Sequence, residues 1–153
     1  MFDILWHPSP NWNERDGQRI TCIVLHNTAG TAEGALAHLC NSASSVSAHY
    51  LVDRNGKVFQ LVDDTKCAWH AGNRPVNKKS IGIEIEAYAS KQGFTPQQEL
   101  SVLSLTRWLA AKYRIPVSSI IAHRDVLDVR TECPGFIWPT DKDFELWKER
   151  SFA

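Results

Sequence analysis

The chain has 153 residues, its 17 lysines and arginines are balanced by 17 aspartates and glutamates, and 43% of its residues are hydrophobic. That length suits one domain over residues 1–153, and the zero net charge argues against nucleic acid as the main partner. No apolar run approaches membrane-spanning length, and the opening MFDILWHPSPNWNERDG is too short and too polar for a signal peptide. We therefore expect a monomer made in the cytoplasm, or one exported by a route that needs no cleaved signal.

Strand and helix patterns alternate through the first half of the chain. The segment RITCIVLHNTAG predicts a buried strand that ends at polar residues and a glycine turn. TAEGALAHLCNSA predicts a short helix with Thr31 as its N-cap. In SVSAHYLVDRNGKVFQLV, two β-rich runs flank Asn55 and Gly56, which supply the positive backbone angles of a tight turn, so this segment predicts a hairpin. The segment AWHAGN is typical of a loop.

The segment SIGIEIEAYA predicts a strand with two different faces. Ile81, Ile83 and Ile85 point to one side, whereas Glu84 and Glu86 point to the other. One interpretation is a solvated acidic face. A carboxylate between isoleucines, in a sheet that helices cover on both faces, is however costly unless it has a function.

The segment TPQQELSVLSLTRWLAAKY predicts the longest helix, with Thr95 as its cap and Pro96 in its first turn. Its apolar stripe is predicted to contain Leu100, Leu103, Trp108 and Leu109. SSIIAHRD predicts another strand, and TDKDFELWKER predicts a closing helix. Together these elements predict an α/β fold, a single domain with a mixed central β-sheet and helices packed on its faces.

Two histidines and one cysteine are candidate metal ligands. His26 and His123 each follow an apolar run at a predicted strand end, although either could be an ordinary histidine in that position. Cys133 precedes a Pro-Gly turn, and its alternative is an inert thiol. Three such ligands leave one tetrahedral position of Zn²⁺ open, which is the pattern of a catalytic site, but their wide spacing requires the fold to bring them together. None of the four cysteines belongs to a CxxC pair, so free thiols or a metal ligand are expected rather than a disulfide framework. They are Cys22, Cys40, Cys67 and Cys133.

Five motifs in order carry a resemblance to a known family: VLHNTAG, SAHYLVDRNGKVFQLV, CAWHAGN, SIGIEIE and AHRDV with RTECPG. They resemble the amidase-2 family of zinc-dependent N-acetylmuramoyl-L-alanine amidases, which includes AmpD-type enzymes, phage lysozyme-type amidases and peptidoglycan recognition proteins. The resemblance runs from about Ser9 to Trp138. It implies hydrolysis of the amide between the lactyl group of N-acetylmuramic acid and L-alanine of the stem peptide. The HRD triplet also occurs in protein kinases, but no kinase glycine-rich loop or DFG accompanies it.

The resemblance implies a role for each matching position. His26, His123 and Cys133 match the family's ligands for one Zn²⁺ per chain. The third ligand is cysteine here, as in the phage lysozyme and recognition-protein branches, whereas AmpD-like members often have aspartate at this position. Glu84 matches the catalytic glutamate, which would carry a proton from water to the leaving nitrogen. Glu86 is then expected to be structural or to lie at the rim of the substrate groove.

Two positions depart from the family pattern. Ala48 stands where the phage lysozyme branch has a catalytic tyrosine, and that role is not transferred to Tyr50, which is kept only as a candidate substrate contact. Thr131 stands where that branch and AmpD have lysine. Its hydroxyl could donate to the developing oxyanion, and the neighbouring Arg130 could supply charge at the substrate instead. With tyrosine and lysine both absent, Glu84 is the main candidate general base.

The resemblance also suggests substrate contacts near the zinc, although each of these residues could simply pack a loop. They are Asn27, Trp69, His70 and Asn73.

Three other functions stay open on the sequence: a recognition module that binds peptidoglycan without cleaving it, a regulatory protein with secondary amidase activity, and a zinc peptidase. A phage endolysin, a recycling enzyme for cytoplasmic muropeptides and an antibacterial effector delivered to the cell wall could all share this domain.

Overall fold

The computed structural model describes residues 3–153 of the chain. Within these residues the strands are β1 (Ile4–Trp6), β2 (Trp12–Glu14), β3 (Cys22–Asn27), β4 (Tyr50–Val52), β5 (Val58–Gln60), β6 (Lys66–Ala68), β7 (Ser80–Ile85) and β8 (Ile120–Ala122). The α-helices are α1 (Ala32–Leu39), α2 (Arg74–Lys79), α3 (Pro96–Tyr113) and α4 (Asp141–Phe152). None of these helices has the length and apolar character that crossing a bilayer requires.

A six-stranded mixed sheet runs through the protein in the order β1-β5-β4-β7-β3-β8. Strands β4, β7, β3 and β8 are parallel to one another, β5 is antiparallel to β4, and β1 is parallel to β5. A separate ribbon pairs β2 with β6. The predicted fold class, a mixed central sheet with packed helices, is confirmed. Because the four central strands are parallel, their carboxyl ends meet at one edge, where the loops carry function.

The predicted hairpin is confirmed as β4 and β5, but its turn differs from the prediction. Of the Asn55-Gly56 pair, only Gly56 has a positive φ, of 82°. The carboxylate of Asp53 closes the loop by accepting hydrogen bonds from the backbone N–H groups of Asn55 and Lys57 at 2.9 and 2.8 Å. An aspartate side chain therefore does part of the work that a two-residue turn would do with backbone angles alone.

The predicted helix caps are confirmed, whereas the predicted apolar stripe of α3 is partly wrong. The hydroxyl of Thr31 accepts from Gly34 N at 3.2 Å, and that of Thr95 accepts from Gln98 N at 3.1 Å. Leu100 and Trp108 are 66% and 41% exposed. The buried face of the helix differs from the predicted stripe because it includes polar residues, whose side chains form hydrogen bonds inside the protein. That face contains Gln98, Val102, Leu105, Thr106 and Leu109.

The two faces of the central sheet have different tasks. One face packs its isoleucines against α3 and α4, around the buried Phe144 and Trp147. The other face lies towards α1, α2 and the segment before α2. Because side chains alternate along a strand, β7 places Ser80, Gly82 and Glu84 on this second face.

Several short elements were not predicted: β1, β2, β6 and α2. The strands have three residues each and α2 has six, so none is long enough for a hydrophobic period to show. The segment predicted as a loop, AWHAGN, begins at the end of β6 and leads into α2. All four cysteines are free, as expected.

Candidate functional site

Three predicted ligands meet at the carboxyl edge of the sheet. His26 lies near the end of β3, His123 follows β8 directly, and Cys133 lies on the loop that returns from β8 towards α4. Since β3 and β8 are adjacent parallel strands, the two histidines leave the sheet side by side, with ring centroids 4.4 Å apart. One ligand atom from each of the three residues lies within 4.8 Å of the others.

Backbone contacts hold the cysteine loop against the sheet. Arg124 N–H donates to the Cys133 carbonyl at 2.9 Å, and Asn27 N–H donates to the Cys133 sulfur at 3.3 Å. Farther along the loop, Phe136 N–H donates to the Asn27 side-chain oxygen at 3.1 Å. The fold thus returns the thiol to the histidines after a gap of ten residues in sequence.

The donor set fits zinc. Ligand atoms on a tetrahedral zinc, with bonds of about 2.0–2.3 Å, lie about 3.5 Å apart. The Cys133 sulfur is 3.9 Å from His26 Nδ1, close to that separation. His123 Nε2–H donates to the Ala71 carbonyl at 3.1 Å, which leaves Nδ1 of that ring free to bind a metal. Two imidazoles and one thiol leave a fourth position for water or substrate.

Burial puts the two imidazoles in the protonation state that a metal needs. Desolvation lowers the pKa of His26 well below its usual value, and it lowers the pKa of His123 as well. Both rings are therefore neutral near pH 7. Desolvation also raises the pKa of the Cys133 thiol to about 12, so ligation by this residue requires the metal itself to displace a proton.

Glu84 lies beside the ligands because β7 pairs with β3 in register. Its Cα is the direct partner of that of His26, and its side chain points to the same face of the sheet. Glu84 is half-buried, and its Oε2 has no hydrogen-bond partner among residues 3–153. Desolvation raises the pKa of this carboxyl to about 8. A shielded carboxyl with an unused oxygen, next to a ligand cluster, is suited to moving a proton.

Thr131 and Arg130 are placed differently, although they are neighbours in sequence. Thr131 is half-buried and lines the cavity that contains the ligands and Glu84. Its oxygen accepts from Cys133 N–H at 3.1 Å, which leaves the hydroxyl proton available for another acceptor. Arg130 is exposed and is not among the residues that line this cavity.

A groove crosses the ligand cluster. The central cavity, of about 490 Å³, is continuous in its lining with two larger depressions. One, of about 790 Å³, shares Trp69 and His123 with it, and the other, of about 700 Å³, shares Thr131 and Cys133. The ligands therefore lie in the middle of an extended groove and can meet a substrate that continues in both directions.

Four predicted substrate contacts line this groove, Asn27, Trp69, His70 and Asn73, and each also has a local structural task. Trp69 is half-buried and donates from its indole N–H to the Asn13 side chain at 2.6 Å. The Asn73 side chain caps α2 by accepting from Val76 N–H at 3.1 Å. Asn27 uses its side-chain oxygen on the cysteine loop, so its amide nitrogen is the part available to a substrate.

Two predicted substrate contacts have their polar atoms bonded inside the protein. Tyr50 is 1% exposed, faces the core that packs on α3, and donates its hydroxyl to Asp64 at 2.7 Å. It lies on the opposite side of the sheet from the ligands because it pairs with Ile83, whereas Leu51 pairs with Glu84. His70 is buried, and both of its ring nitrogens contact protein atoms, one from His26 and one from Ser80, each at 2.9 Å. The Tyr50 side chain does not reach the groove, whereas the His70 ring is part of its lining and stays a predicted substrate contact.

Sequence reasoning missed two cations in the larger depression. Arg74 and Lys78 line it and lie four residues apart on α2. Lys78 also forms an ion pair with Asp16. Arg74 and Lys78 have the spacing of residues on one helix face. A helix of six residues is however too short for its periodicity to be recognised in the sequence.

The family model described as N-acetylmuramoyl-L-alanine amidase, amidase-2, matches residues 16–136. The chain is 34% identical over 142 residues to the N-acetylmuramoyl-L-alanine amidase AmiD of Escherichia coli K12, a match covering 79% of this chain and 51% of AmiD. It is 30% identical over 164 residues to the 1,6-anhydro-N-acetylmuramyl-L-alanine amidase AmpD of Salmonella typhimurium LT2, covering 86% of this chain and 84% of that one. The chain thus spans about half the length of AmiD.

A solved structure of Escherichia coli AmiD has a similar fold. It superposes with a TM-score of 0.71 at 28% sequence identity, over 88% of this chain and 65% of that one. That protein was solved in complex with the substrate anhydro-N-acetylmuramic acid-L-Ala-D-gamma-Glu-L-Lys.

Proposed function

The chain belongs to the amidase-2 family of N-acetylmuramoyl-L-alanine amidases, and we propose that it is a zinc hydrolase of peptidoglycan. The bond it cleaves is the amide between the lactyl group of N-acetylmuramic acid and L-alanine of the stem peptide. The observation that carries this proposal is the cluster of His26, His123 and Cys133, with ligand atoms within 4.8 Å, beside the shielded carboxyl of Glu84.

In this proposal the three ligands hold one zinc ion, and Glu84 carries the proton. A zinc ion bound there supplies Lewis-acid chemistry, which polarises the scissile carbonyl and makes water more acidic. The positive charge of a bound zinc ion would lower the pKa of Glu84 from about 8, so that the carboxyl is ionised near pH 7. Glu84 then takes a proton from the attacking water as the oxygen–carbon bond forms. It delivers that proton to the alanine nitrogen as the carbon–nitrogen bond breaks. The products are a free peptide amine and a lactyl carboxylic acid, which releases the second water proton to solvent and becomes a carboxylate.

Thr131 assists at the oxygen of the scissile carbonyl. Its own oxygen is engaged by Cys133 N–H, which orients the hydroxyl, and its proton is free to donate to the negative charge that develops there. This neutral donor is weaker than the ammonium of a lysine. Arg130 is the alternative source of charge, but its exposure makes it the less favourable one.

The groove suits a substrate with a sugar on one side of the scissile bond and a peptide on the other. The depression that contains Arg74 and Lys78 has cations to offer the carboxylates of a stem peptide. Trp69 offers an apolar surface at the junction between this depression and the central cavity. We propose that the enzyme acts as a monomer on cell-wall peptidoglycan or on recycled muropeptides, without nucleic acid.

The proposal is tested by digestion of two substrates side by side. Purified protein with one equivalent of zinc is incubated with intact sacculi and with a soluble anhydro-muropeptide, each with and without a chelator, and the products are identified by mass spectrometry. Release of peptides that begin with L-alanine, only in the zinc arms, is expected. The preferred substrate distinguishes an enzyme of the cell wall from one of recycling.

Other outcomes would support a different function. Equal binding of muropeptide with and without chelator, and cleavage in neither arm, would indicate a recognition module. Cleavage between amino acids with the lactyl-alanine bond intact would indicate a zinc peptidase. Either result would overturn the proposal.

The role of Thr131 predicts a difference between two variants of similar size. Thr131→Val removes the hydroxyl and keeps the shape, so kcat should fall about tenfold to a hundredfold, whereas Thr131→Ser keeps the donor and should stay within about threefold of wild type. Steady-state kinetics at equal zinc content measure both. If both variants turned over at the wild-type rate, Thr131 would have no part in the reaction.

The position of Tyr50 predicts an effect on stability alone. Tyr50→Phe removes a buried hydrogen bond to Asp64, so the free energy of unfolding should fall by about 1–3 kcal/mol in urea titration. Turnover should stay within about twofold because the ring faces away from the ligands. A loss of turnover of more than tenfold at unchanged zinc content would contradict this and would show that Tyr50 contributes to the reaction.

A further inference from the structure

His70 joins a ligand of the site to the strand beneath it. Its Nδ1 is 2.9 Å from Nε2 of His26, and its Nε2 is 2.9 Å from the Ser80 hydroxyl. All three residues are buried, with exposures of 2%, 9% and 0% for His26, His70 and Ser80. In this setting each polar group needs a partner inside the protein, and the three supply one another.

The strand makes room for this ring at one residue. Ser80, Gly82 and Glu84 alternate on the same face of β7, and a Cβ added at Gly82 would overlap the imidazole of His70. The three positions therefore have distinct tasks. Ser80 holds the far nitrogen of His70, Gly82 leaves space for the ring, and Glu84 reaches the ligand cluster.

The direction of the hydrogen bonds follows from the ligand geometry. Nδ1 of His26 faces the Cys133 sulfur at 3.9 Å, so this nitrogen must keep its lone pair free for a metal. The proton of the neutral ring then lies on Nε2 and is donated to Nδ1 of His70. His70 in turn has its proton on Nε2, where it donates to the Ser80 hydroxyl oxygen.

The neighbouring residue does the same for the second histidine ligand. The carbonyl of Ala71 accepts from Nε2–H of His123 at 3.1 Å. Consecutive residues of the Trp-His-Ala-Gly segment thus contact both histidine ligands, one through a side chain and the other through the backbone. Only the contact to His26 depends on which side chain the sequence supplies.

We propose that His70 is a positioning residue for the metal site, held by Ser80 and seated over Gly82. It fixes the ring orientation and the tautomer of His26, so that Nδ1 points to the metal. This inference rests on the zinc site of the proposed function. Outer hydrogen bonds of this kind change metal affinity by about 10- to 100-fold when they are removed.

Two variants of nearly the same shape test the proposal. His70→Asn places an amide oxygen where Nδ1 of His70 lies, so it can still accept from His26. His70→Leu has a similar branched shape and no acceptor. The zinc dissociation constant of each is measured by competition with a chromophoric chelator, and circular dichroism of the zinc-free proteins checks their fold.

Ser80→Ala is a milder variant that removes only the far hydrogen bond. Its control is Thr106→Val, which removes another fully buried hydroxyl, on α3 and away from the site. Long-range nitrogen–proton NMR spectra of the wild-type protein, with and without zinc, report directly which nitrogen of His26 carries its proton.

We expect His70→Leu to bind zinc about 10- to 100-fold more weakly, and His70→Asn, which keeps the acceptor for His26 but loses the Ser80 contact, to weaken binding only by about twofold to tenfold, as Ser80→Ala does. Ser80→Ala should weaken binding by about twofold to tenfold, and Thr106→Val should not change it. His26 should be protonated at Nε2 in both NMR samples. Wild-type affinity in His70→Leu, or a His26 proton on Nδ1, would overturn the role of His70 while leaving the hydrolase intact. A wild-type protein that binds no zinc would overturn the metal site and this role together.

Discussion

Replacing Cys133 with alanine should abolish zinc retention and, with it, all hydrolysis. The thiol is one of three protein ligands, and a zinc site of about 10–16 kcal/mol divided among its ligands loses about 4 kcal/mol with each, or roughly 10³-fold in affinity. The variant should therefore lose its metal on a desalting column that the wild type passes with one equivalent bound. Metal content by atomic emission and the zinc-dependent rise in Tm both measure this.

Two further cysteine variants make the result specific. Cys40→Ala removes a half-buried thiol at the end of α1, outside the ligand cluster, and should keep zinc and turnover. Cys133→Asp supplies a carboxylate ligand in place of the thiol and should recover part of the zinc affinity. Full zinc retention in Cys133→Ala would remove this residue from the ligand set.

Replacing Glu84 with glutamine should lower kcat by about 10²- to 10⁴-fold while zinc remains bound, because a positioned acid–base group contributes about that much. Glutamine has nearly the same size and cannot carry the proton. Because Oε2 of Glu84 has no hydrogen-bond partner within residues 3–153, the substitution breaks no hydrogen bond at that oxygen. Single-turnover kinetics, zinc content and urea titration together separate these effects.

Glu86 is the matched control, since it lies two residues further along the chain. Its two carboxylate oxygens accept from the backbone N–H groups of Ala32 and Arg54 at 2.8 and 2.7 Å, so it connects α1 to the hairpin. Glu86→Gln should cost about 1–3 kcal/mol of stability and leave turnover within a few-fold. If the two variants exchanged these effects, with Glu86→Gln inactive and Glu84→Gln active, the proton carrier would be Glu86.

The ligand cluster could be predicted from local sequence because strand ends carry it. His26 and His123 each follow three apolar residues, and parallel strands bring such positions to one edge of a sheet. Cys133 could not be predicted as a ligand from its neighbouring residues, because they do not indicate that the loop returns to the two histidines. Its assignment came from the order of motifs along the chain, and the fold brings its sulfur to the two histidines.

The interior roles of polar residues could not be predicted in the same way. The segment containing His70 is typical of a substrate loop, yet its partners lie 44 residues before it and 10 residues after it, and only the folded sheet brings them together. The need for glycine at position 82 could not be predicted either, because it arises from the His70 ring that packs against this residue in the fold. Tyr50 does not reach the groove because its register with β7 places it beside Ile83, and the register of a three-residue strand cannot be predicted from its own sequence.

Helix α3 shows the same limit on a larger scale. Its caps could be predicted from Thr95 and Pro96, but its buried face contains Gln98 and Thr106, and two large apolar residues face outward. Internal hydrogen bonds satisfy these polar groups, so a pattern of apolar residues alone places the stripe incorrectly.

The bond that is cleaved can be identified in a single measurement. Anhydro-N-acetylmuramic acid-L-Ala-D-gamma-Glu-L-Lys is digested by the zinc-loaded protein in water enriched in ¹⁸O, and the products are analysed by mass spectrometry. We expect one ¹⁸O atom in the lactyl carboxylate of the sugar product and an unlabelled tripeptide with a free alanine amine, because hydrolysis adds the water oxygen to the acyl side. Label in a peptide carboxylate, with the lactyl-alanine bond intact, would contradict the assignment of this protein as a muramoyl-alanine amidase.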